Sequence, residues 1–264
     1  MITRKKIKEI INKKDYVRAG AIICKYSLNK IKNLKAVRLI KNHFDNYNQL
    51  RFYREYLGPN KFVFDVGANI GKKTDLFLKL GCRVVAIEPQ SDLANSLQAK
   101  YSLDKSVTVE HCGLGREDGE AVINISTKYP GFSSFNKSWQ QGKKYNNFDK
   151  TEKVATTTLD NLIRKYGLPD FCKIDVEGFE DEVLAGLSIK IPMINFEFHS
   201  DDMELARKCL HRLKDIGYAK FNFVMSENSK MCLPRWLPAD HIPSEIEKKE
   251  KIKKEIIWGD IYAK

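Results

Sequence analysis

The sequence predicts an α/β fold: a Rossmann-like sheet with helices on both faces, preceded by a basic helical N-terminal arm. Three observations carry that expectation. After Gly58-Pro59-Asn60, short apolar runs alternate with amphipathic stretches, which is the rhythm of strand–helix units in a parallel sheet. The runs are almost continuously apolar, as strands covered on both faces must be. The first run leads into a glycine-bearing turn and the second ends in an acid. In open α/β sheets, ligands collect outside such carboxyl ends.

Bulk properties agree with one domain plus an arm. A chain of 264 residues with 42% hydrophobic and 30% charged residues can build a sizeable core, and wholesale disorder is excluded. The formal charge is +12, and residues 1–60 hold fifteen Lys/Arg against four acids, a local excess of eleven. Such an arm suits nucleic acid, an anionic membrane surface or a phosphorylated substrate. The surplus of lysine, with plentiful Ile and Asn, equally fits a well-solvated surface set by codon composition. The six cysteines (Cys24, Cys82, Cys112, Cys172, Cys209, Cys232) show no CxxC pair and no metal-ligand spacing. Several lie in apolar runs, where a free thiol packs as a small hydrophobe, and a reducing compartment follows. No apolar h-region follows the basic start, and no stretch approaches the ~18 apolar residues of a membrane span. The expectation is a cytoplasmic protein without a transmembrane segment, its oligomeric state open.

The elements follow in order. In the arm, residues 1–57, Ile7, Ile10 and Ile11, then Ile31, Leu34 and Val37, recur at helical spacing with lysines opposite. The main domain, residues 58–235, opens with a buried strand at Phe62–Val66 and a helix at about 72–80. A strand at Arg83–Ile87, a helix at about 91–101 and a strand at Val107–His111 come next. Glu120–Ser126 and Lys153–Thr157 read as β segments. Between them runs a polar loop carrying Tyr129, Phe132, Phe135, Trp139, Tyr145 and Phe148, which either forms a lid or packs on the sheet. Phe171–Val176 and Met193–Phe198 are later strands, followed by helical segments at 179–187 and 202–216. Residues 236–264, with the basic tract Lys248–Lys254, read as a C-terminal extension.

Five constellations carry chemistry. In Asp65-Val66-Gly67-Ala68-Asn69-Ile70-Gly71, followed by Lys72, Lys73 and Thr74, a strand gives way to a glycine turn and a helix. Glycines allow close backbone approach, and a helix start offers N–H donors to a polar group. The spacing is G-x-x-x-G, not the dinucleotide G-x-G-x-x-G. Asp65, an acid at the tip of an apolar strand, needs a partner, which a cationic cofactor or nearby backbone N–H groups would provide. Glu88, before Pro89, lies 21 residues beyond Gly67 and can accept both ribose hydroxyls of an adenosine. An adenosine-containing ligand follows, with NAD and S-adenosylmethionine both open. Cys112 and Gly113, after the third strand, can border an adenine. Lys173, Asp175 and Glu177 share one parity, as do Asn195, Glu197 and His199, so both sets project beyond neighbouring strand ends. A histidine beside carboxylates there forms a general acid–base set.

This ordered set resembles the FkbM family of S-adenosylmethionine-dependent methyltransferases. The resemblance rests on Asp65–Thr74 (DVGANIGKKT), Glu88-Pro89, Cys112–Gly115 (CGLG), Thr158–Asp160 (TLD), Lys173–Gly178 (KIDVEG), Glu180 and Val183–Gly186. It leaves the first 50 residues and everything past about 225 uncovered. It implies a class I methyltransferase sheet of seven strands with one antiparallel strand near the C-terminus, and S-adenosylmethionine rather than NAD. It also implies O-methylation of sugar, glycan or secondary-metabolite hydroxyls. The cofactor contacts expected are Asp65, Gly67, Ala68, Asn69, Gly71, Thr74, Glu88, Pro89, Cys112 and Gly113. His199 and Asp175 are the base candidates, with Glu177 and Glu197 placing the acceptor. A divalent metal at Asp175 and Glu197 is chemically reasonable, since oxygen ligands suit Mg²⁺, although no ligand spacing specifies it. Two rival readings are an RNA methyltransferase whose arm holds phosphates and a non-catalytic adaptor that keeps only the cofactor fold. The intact acidic strand ends speak against the second.

Overall fold

The computed structural model describes residues 45–136, 139, 148–226 and 229–264. The chain divides into two units, residues 1–56 with 227–229 and residues 57–226 with 230–264. In the first unit, residues 45–53 are helical, and Phe52 meets Tyr53 and Tyr56 edge-on. The remainder of the expected helical arm lies outside the described residues.

The second unit is built on a seven-stranded sheet. Its strands are β1 (Phe62–Val66), β2 (Arg83–Ile87), β3 (Val107–Glu110), β7 (Phe171–Ile174), β8 (Met193–His199), β9 (Phe221–Met225) and β10 (Trp258–Ala263), ordered β3-β2-β1-β7-β8-β10-β9. The pairs β1–β2, β2–β3, β1–β7 and β7–β8 are parallel, and β10 alone runs antiparallel to both its neighbours. This is the expected α/β class I architecture. A second sheet, ordered β4-β6-β5, comprises β4 (Gly113–Leu114), β5 (Gly119–Ile125) and β6 (Lys150–Thr157).

The helices are α1 (Lys72–Lys79), α2 (Ser91–Tyr101), α3 (Leu159–Tyr166), α4 (Glu180–Ala185), α5 (Met203–Asp215) and α6 (Ile242–Lys253). Two start where the sequence supplies a capping oxygen: Thr158 accepts from Asn161 N, and Asp202 accepts from Leu205 N. One face of the sheet joins Phe64, Ile87, Ile174 and Phe196 to Leu162, Val183, Leu184 and Leu210 in a continuous core. On the other face Ala68 and Ala86 pack with Leu97 and Tyr101 of α2.

Two sequence expectations need correction. Residues 236–264 are no mere extension, because β10 threads between β8 and β9 and completes the sheet. The apolar spacing of Ile257, Ile261 and Ala263, all buried, is what draws that segment inward. The strand read as Phe171–Val176 stops at Ile174, since Asp175 and Val176 belong to the turn that follows. A polar rung also crosses one face. Asp65 lies in register with Lys173, Lys173 with Asn195, Asn195 with Tyr262, and Tyr262 with Asn222. All five are buried; Lys173 faces Asp65 at 4.0 Å within the rung, whereas Asn222 turns to the backbone of Leu233.

Candidate active site

The chain winds away from β1 in both directions, through β2 on one side and β7 on the other, which makes the β1/β7 junction the switch point of the sheet. Gly67 takes φ 77°, and a Cβ there would collide with the carbonyl oxygen of Asp175. Only glycine lets the two strand ends approach so closely.

Asp65 sits behind this junction. It is fully buried; its Oδ2 accepts from Thr74 Oγ1 at 2.6 Å, and its Oδ1, which makes no hydrogen bond, lies 4.0 Å from Lys173 Nζ. Burial raises its pKa against the opposing pulls of Lys173 and Thr74. The partner that the sequence required is therefore Lys173, and Asp65 with Thr74 fastens α1 to β1 from beneath. Four backbone donors of the turn that precedes α1 are also spent within the protein. Gly67 N and Ala68 N both donate to Ile87 O at 3.0 Å, Asn69 N to Glu88 Oε2 at 2.8 Å, and Gly71 N to Ala68 O at 2.8 Å. Gly71 lies under Tyr101, whose hydroxyl donates to Gly71 O and to Asp75 Oδ1.

Outside the strand ends opens a cleft whose empty space, counting the solvent at its mouth, is about 520 Å³. Gly67, Asn69, Glu88, Pro89, Cys112 and Gly113 line it, as do Asp175, Val176 and Glu177. Asp65, Ala68, Gly71 and Thr74, expected as direct contacts, are not among its lining residues. Glu88 is buried with its carboxylate held by two backbone donors, Gln90 N on Oε1 and Asn69 N on Oε2. Burial outweighs those donors and pushes its pKa up to about 7. Burial likewise pushes the Cys112 thiol up to about 12, leaving it protonated and inert.

Pro130, Gly131, Ser133, Ser134 and Phe135, within the loop read as a lid or a sheet-packed segment, form the opposite wall. Gln90 Nε2 donates to Pro130 O and Ser133 Oγ donates to Gln90 Oε1, tying the segment to β2. Ser134 Oγ donates to Glu177 O and Asn136 Nδ2 to Gly178 O, tying it to β7. The segment is a strap fastened at both sides. Its aromatics divide accordingly: Phe135 packs on Phe179 and Trp139 is buried against His199, whereas Tyr129 and Phe132 remain partly exposed. Tyr145 lies outside the described residues. The loop's aromatics marked it in the sequence, and the paired serines Ser133-Ser134 supply its polar ties.

At the far end of the cleft, one oxygen each from Asp175, Glu177 and Glu197 lies within 4.8 Å of the others. His199 Nε2 is 3.5 Å from Glu197 Oε2. Strand alternation explains Glu197 and His199 but not Glu177, because β7 has already ended. Glu177 is instead turned back by two left-handed residues, itself at φ 56° and Gly178 at φ 87°. Trp139 covers that turn so tightly that a Cβ on Gly178 would collide with the indole, and its Nε1 donates to Glu177 Oε2 at 3.3 Å. A non-glycine residue held left-handed persists only where its surroundings over-determine it.

Charge is unevenly shared here. Burial opposes the Lys173 ammonium, but Asp175 at 2.9 Å, Asp65 and Asp260 outweigh it and hold the pKa above its ordinary value. Burial would raise Asp175, yet Lys173, with Lys73 and His199, holds its carboxyl below the usual range. Glu197 goes the other way: burial, then Asp175, Glu177, Glu180 and Asp260, push it well up.

The methyltransferase FkbM domain profile matches residues 65–219. The chain belongs to the FkbM methyltransferase family. A curated relative, Methyltransferase 1 of Beauveria bassiana (strain ARSEF 2860), is 29% identical over 147 residues, or 48% of this chain. The match spans 59% of that relative's length. Among solved structures, the precorrin-6y C5,15-methyltransferase of Geobacter metallireducens GS-15 aligns with a TM-score of 0.44 at 10% identity, covering 84% of this chain and 87% of that one. A TehB-like SAM-dependent methyltransferase of Corynebacterium glutamicum aligns at 0.43 and 10% identity, covering 94% and 99%.

The residues of this FkbM domain fit S-adenosyl-L-methionine, the cofactor that the family implies. Glu88 offers a buried, backbone-braced carboxylate to paired hydroxyls. Ile87, Leu114, Ile123 and Phe135 supply an apolar wall for a flat ring. The wall is close-set, since a Cβ on Gly113 would press into the Phe135 ring.

Proposed function

We propose that this FkbM domain binds S-adenosyl-L-methionine between Glu88 and Glu177 and transfers its methyl group to a hydroxyl of a sugar, glycan or small metabolite. The observation that carries the reading is the continuity of two unlike walls. A carboxylate suited to ribose hydroxyls at the tip of β2 shares one cleft with Asp175 and Glu177, beside the Glu197–His199 pair. Bound there, the cofactor supplies an electrophilic sulfonium methyl, so the difficult chemistry is its own.

The chain's residues have three tasks. Glu88 accepts the hydroxyl hydrogens of the ribose, with Asn69 and Gln90 fixing its orientation. Asp175, Glu177 and Glu197 orient the acceptor through its hydroxyls. His199 receives the acceptor's proton; Asp175 is the poorer base, since Lys173 already engages its charge. Alignment contributes roughly 7–11 kcal/mol against the roughly 10²–10⁴-fold available from a general base, so positioning dominates. The RNA reading depends on the arm, most of which lies outside the described residues. No helix among the described residues is long and apolar enough to cross a membrane. We place the protein in the cytoplasm on the strength of its buried free thiols at Cys82, Cys112, Cys172 and Cys209.

The experiment is a transfer screen with methyl-labelled cofactor over sugar-nucleotide, glycolipid, small-polyol and RNA pools. Label on an acceptor oxygen, lost in His199→Ala, is the expected result. Label confined to RNA or to nitrogen atoms would overturn the O-methylation of a glycan or metabolite.

A further inference from the structure

Glu177 and His199 both stand where the sheet gives out. Glu177 lies past the end of β7, and His199 is the last residue of β8. A glutamate side chain has many rotamers to lose, so it holds one aim only where something fixes it. The Trp139 side chain touches both residues. Its buried indole donates from Nε1 to Glu177 Oε2 at 3.3 Å, and its ring meets the His199 imidazole at 86° with centroids 5.0 Å apart. It also closes so nearly on Gly178 that only glycine fits beneath it, which confines the left-handed backbone of Glu177 at φ 56°. An indole is a stiff ring on two side-chain torsions, so it holds its neighbours where its own packing puts it.

Other ties already bind the strap to this turn. Ser134 Oγ donates to Glu177 O, Asn136 Nδ2 donates to Gly178 O, and Phe135 packs on Phe179. What Trp139 adds to them is a link from Glu177 to His199.

We propose that Trp139 is a positioning residue for methyl transfer, setting the Glu177 carboxylate to receive the acceptor and the His199 imidazole to take its proton. This deepens the reading given under the proposed function and rests on it for the roles of Glu177 and His199. The two contacts divide the work. The N–H bond fixes a carboxylate that orients the acceptor, so its loss is felt in acceptor binding. The ring contact fixes the imidazole, so its loss is felt in turnover. Trp139→Phe removes the first and keeps a ring for the second; Trp139→Leu removes both.

The test uses methyl-labelled S-adenosyl-L-methionine with the acceptor fraction that takes label in the transfer screen. Trp139→Phe should raise the apparent KM for that fraction about tenfold, with kcat within about threefold of wild type and cofactor Kd unchanged by calorimetry. Trp139→Leu should raise KM as much and also lower kcat by about 10–100-fold. In a Glu177→Ala background the KM effect of Trp139→Phe should vanish, an interdependence that a merely structural ring would not show. Heteronuclear NMR puts the question without an acceptor. The His199 imidazole C–H signals, assigned by their loss in His199→Ala, should shift in Trp139→Leu and less so in Trp139→Phe. A KM effect that persists without the Glu177 carboxylate, or imidazole signals indifferent to Trp139→Leu, overturns the proposal. If no fraction takes label although the imidazole signals shift, the methyl-transfer reading is what falls, and the coupling of Trp139 to His199 stands.

Discussion

Gly67 and Asp175 meet backbone to backbone where β1 and β7 end, with no room between them for a methyl group. Gly67→Ala adds that methyl at φ 77°, where an L side chain is already strained. We expect a loss of about 2–4 kcal/mol of stability, as for other overpacked sites. Because Asp175 must move to relieve the clash, cofactor affinity should fall as well. Urea denaturation with calorimetry checks both, and a variant as stable as wild type would show the junction to be looser than described.

Glu88→Gln should weaken S-adenosyl-L-methionine by about 1.5–3 kcal/mol, the worth of hydrogen bonds to a charged group. Its pH behaviour has a definite sign. The folded pKa, about 7, stands above the ordinary 4.5, so this group's contribution to stability is full below about pH 4.5 and is lost as pH rises through 7. The Gln variant cannot ionise and should gain on wild type by about 3 kcal/mol between pH 5 and 8. A difference independent of pH would remove the buried-carboxylate account. Cofactor affinity of the wild type should move oppositely, rising through the same window as Glu88 ionises.

Thr74→Val tests the claim that Asp65 lies outside the cleft lining. It removes the only hydrogen-bond donor described for the Asp65 carboxylate, at 2.6 Å, and should cost about 1–3 kcal/mol of stability. The folded fraction should bind cofactor within about threefold of wild type, on the ~1.4 kcal/mol per tenfold scale. A large affinity loss with unchanged stability would return Asp65 and Thr74 to the ligand.

His199 rests 5.0 Å from Trp139 at right angles and faces Trp258 in a stacked arrangement at 6.5 Å. His199→Ala should lower kcat by about 10²–10⁴-fold while cofactor Kd holds steady. Stopped-flow turnover with calorimetry separates the two; equal loss in both would mean that the ring only supports the aromatic pair.

How much could be read in advance follows the physics of each feature. The strands Phe62–Val66 and Arg83–Ile87 were legible to the residue because burial on both faces leaves a nearly continuous apolar run, broken only by Asp65 and Arg83. The place of Glu88 at the cleft was legible because it directly follows the second strand. Asp65 was not: an acid at a strand tip looks the same facing a ligand or a buried lysine, and only the β1–β7 register distinguishes them. The loop that holds the strap was marked, but which of its residues would border the cleft was not, since hydrogen bonds to Gln90 and Glu177 have no periodic signature. Glu177 arrived at the expected place by an unexpected route, through a left-handed turn instead of strand parity.

The threading of β10 between β8 and β9 governs the order in which this molecule can be made. While residues 258–263 are still to be added, β9 has no neighbour to join and β8 presents a bare row of amide and carbonyl groups. Asp260 and Trp258, which face Glu197 and His199, are also missing at that stage. Until the segment arrives, β8 and β9 stand unjoined, a half-zipped and adhesive sheet whose strand ends at Glu197 and His199 have no facing neighbour.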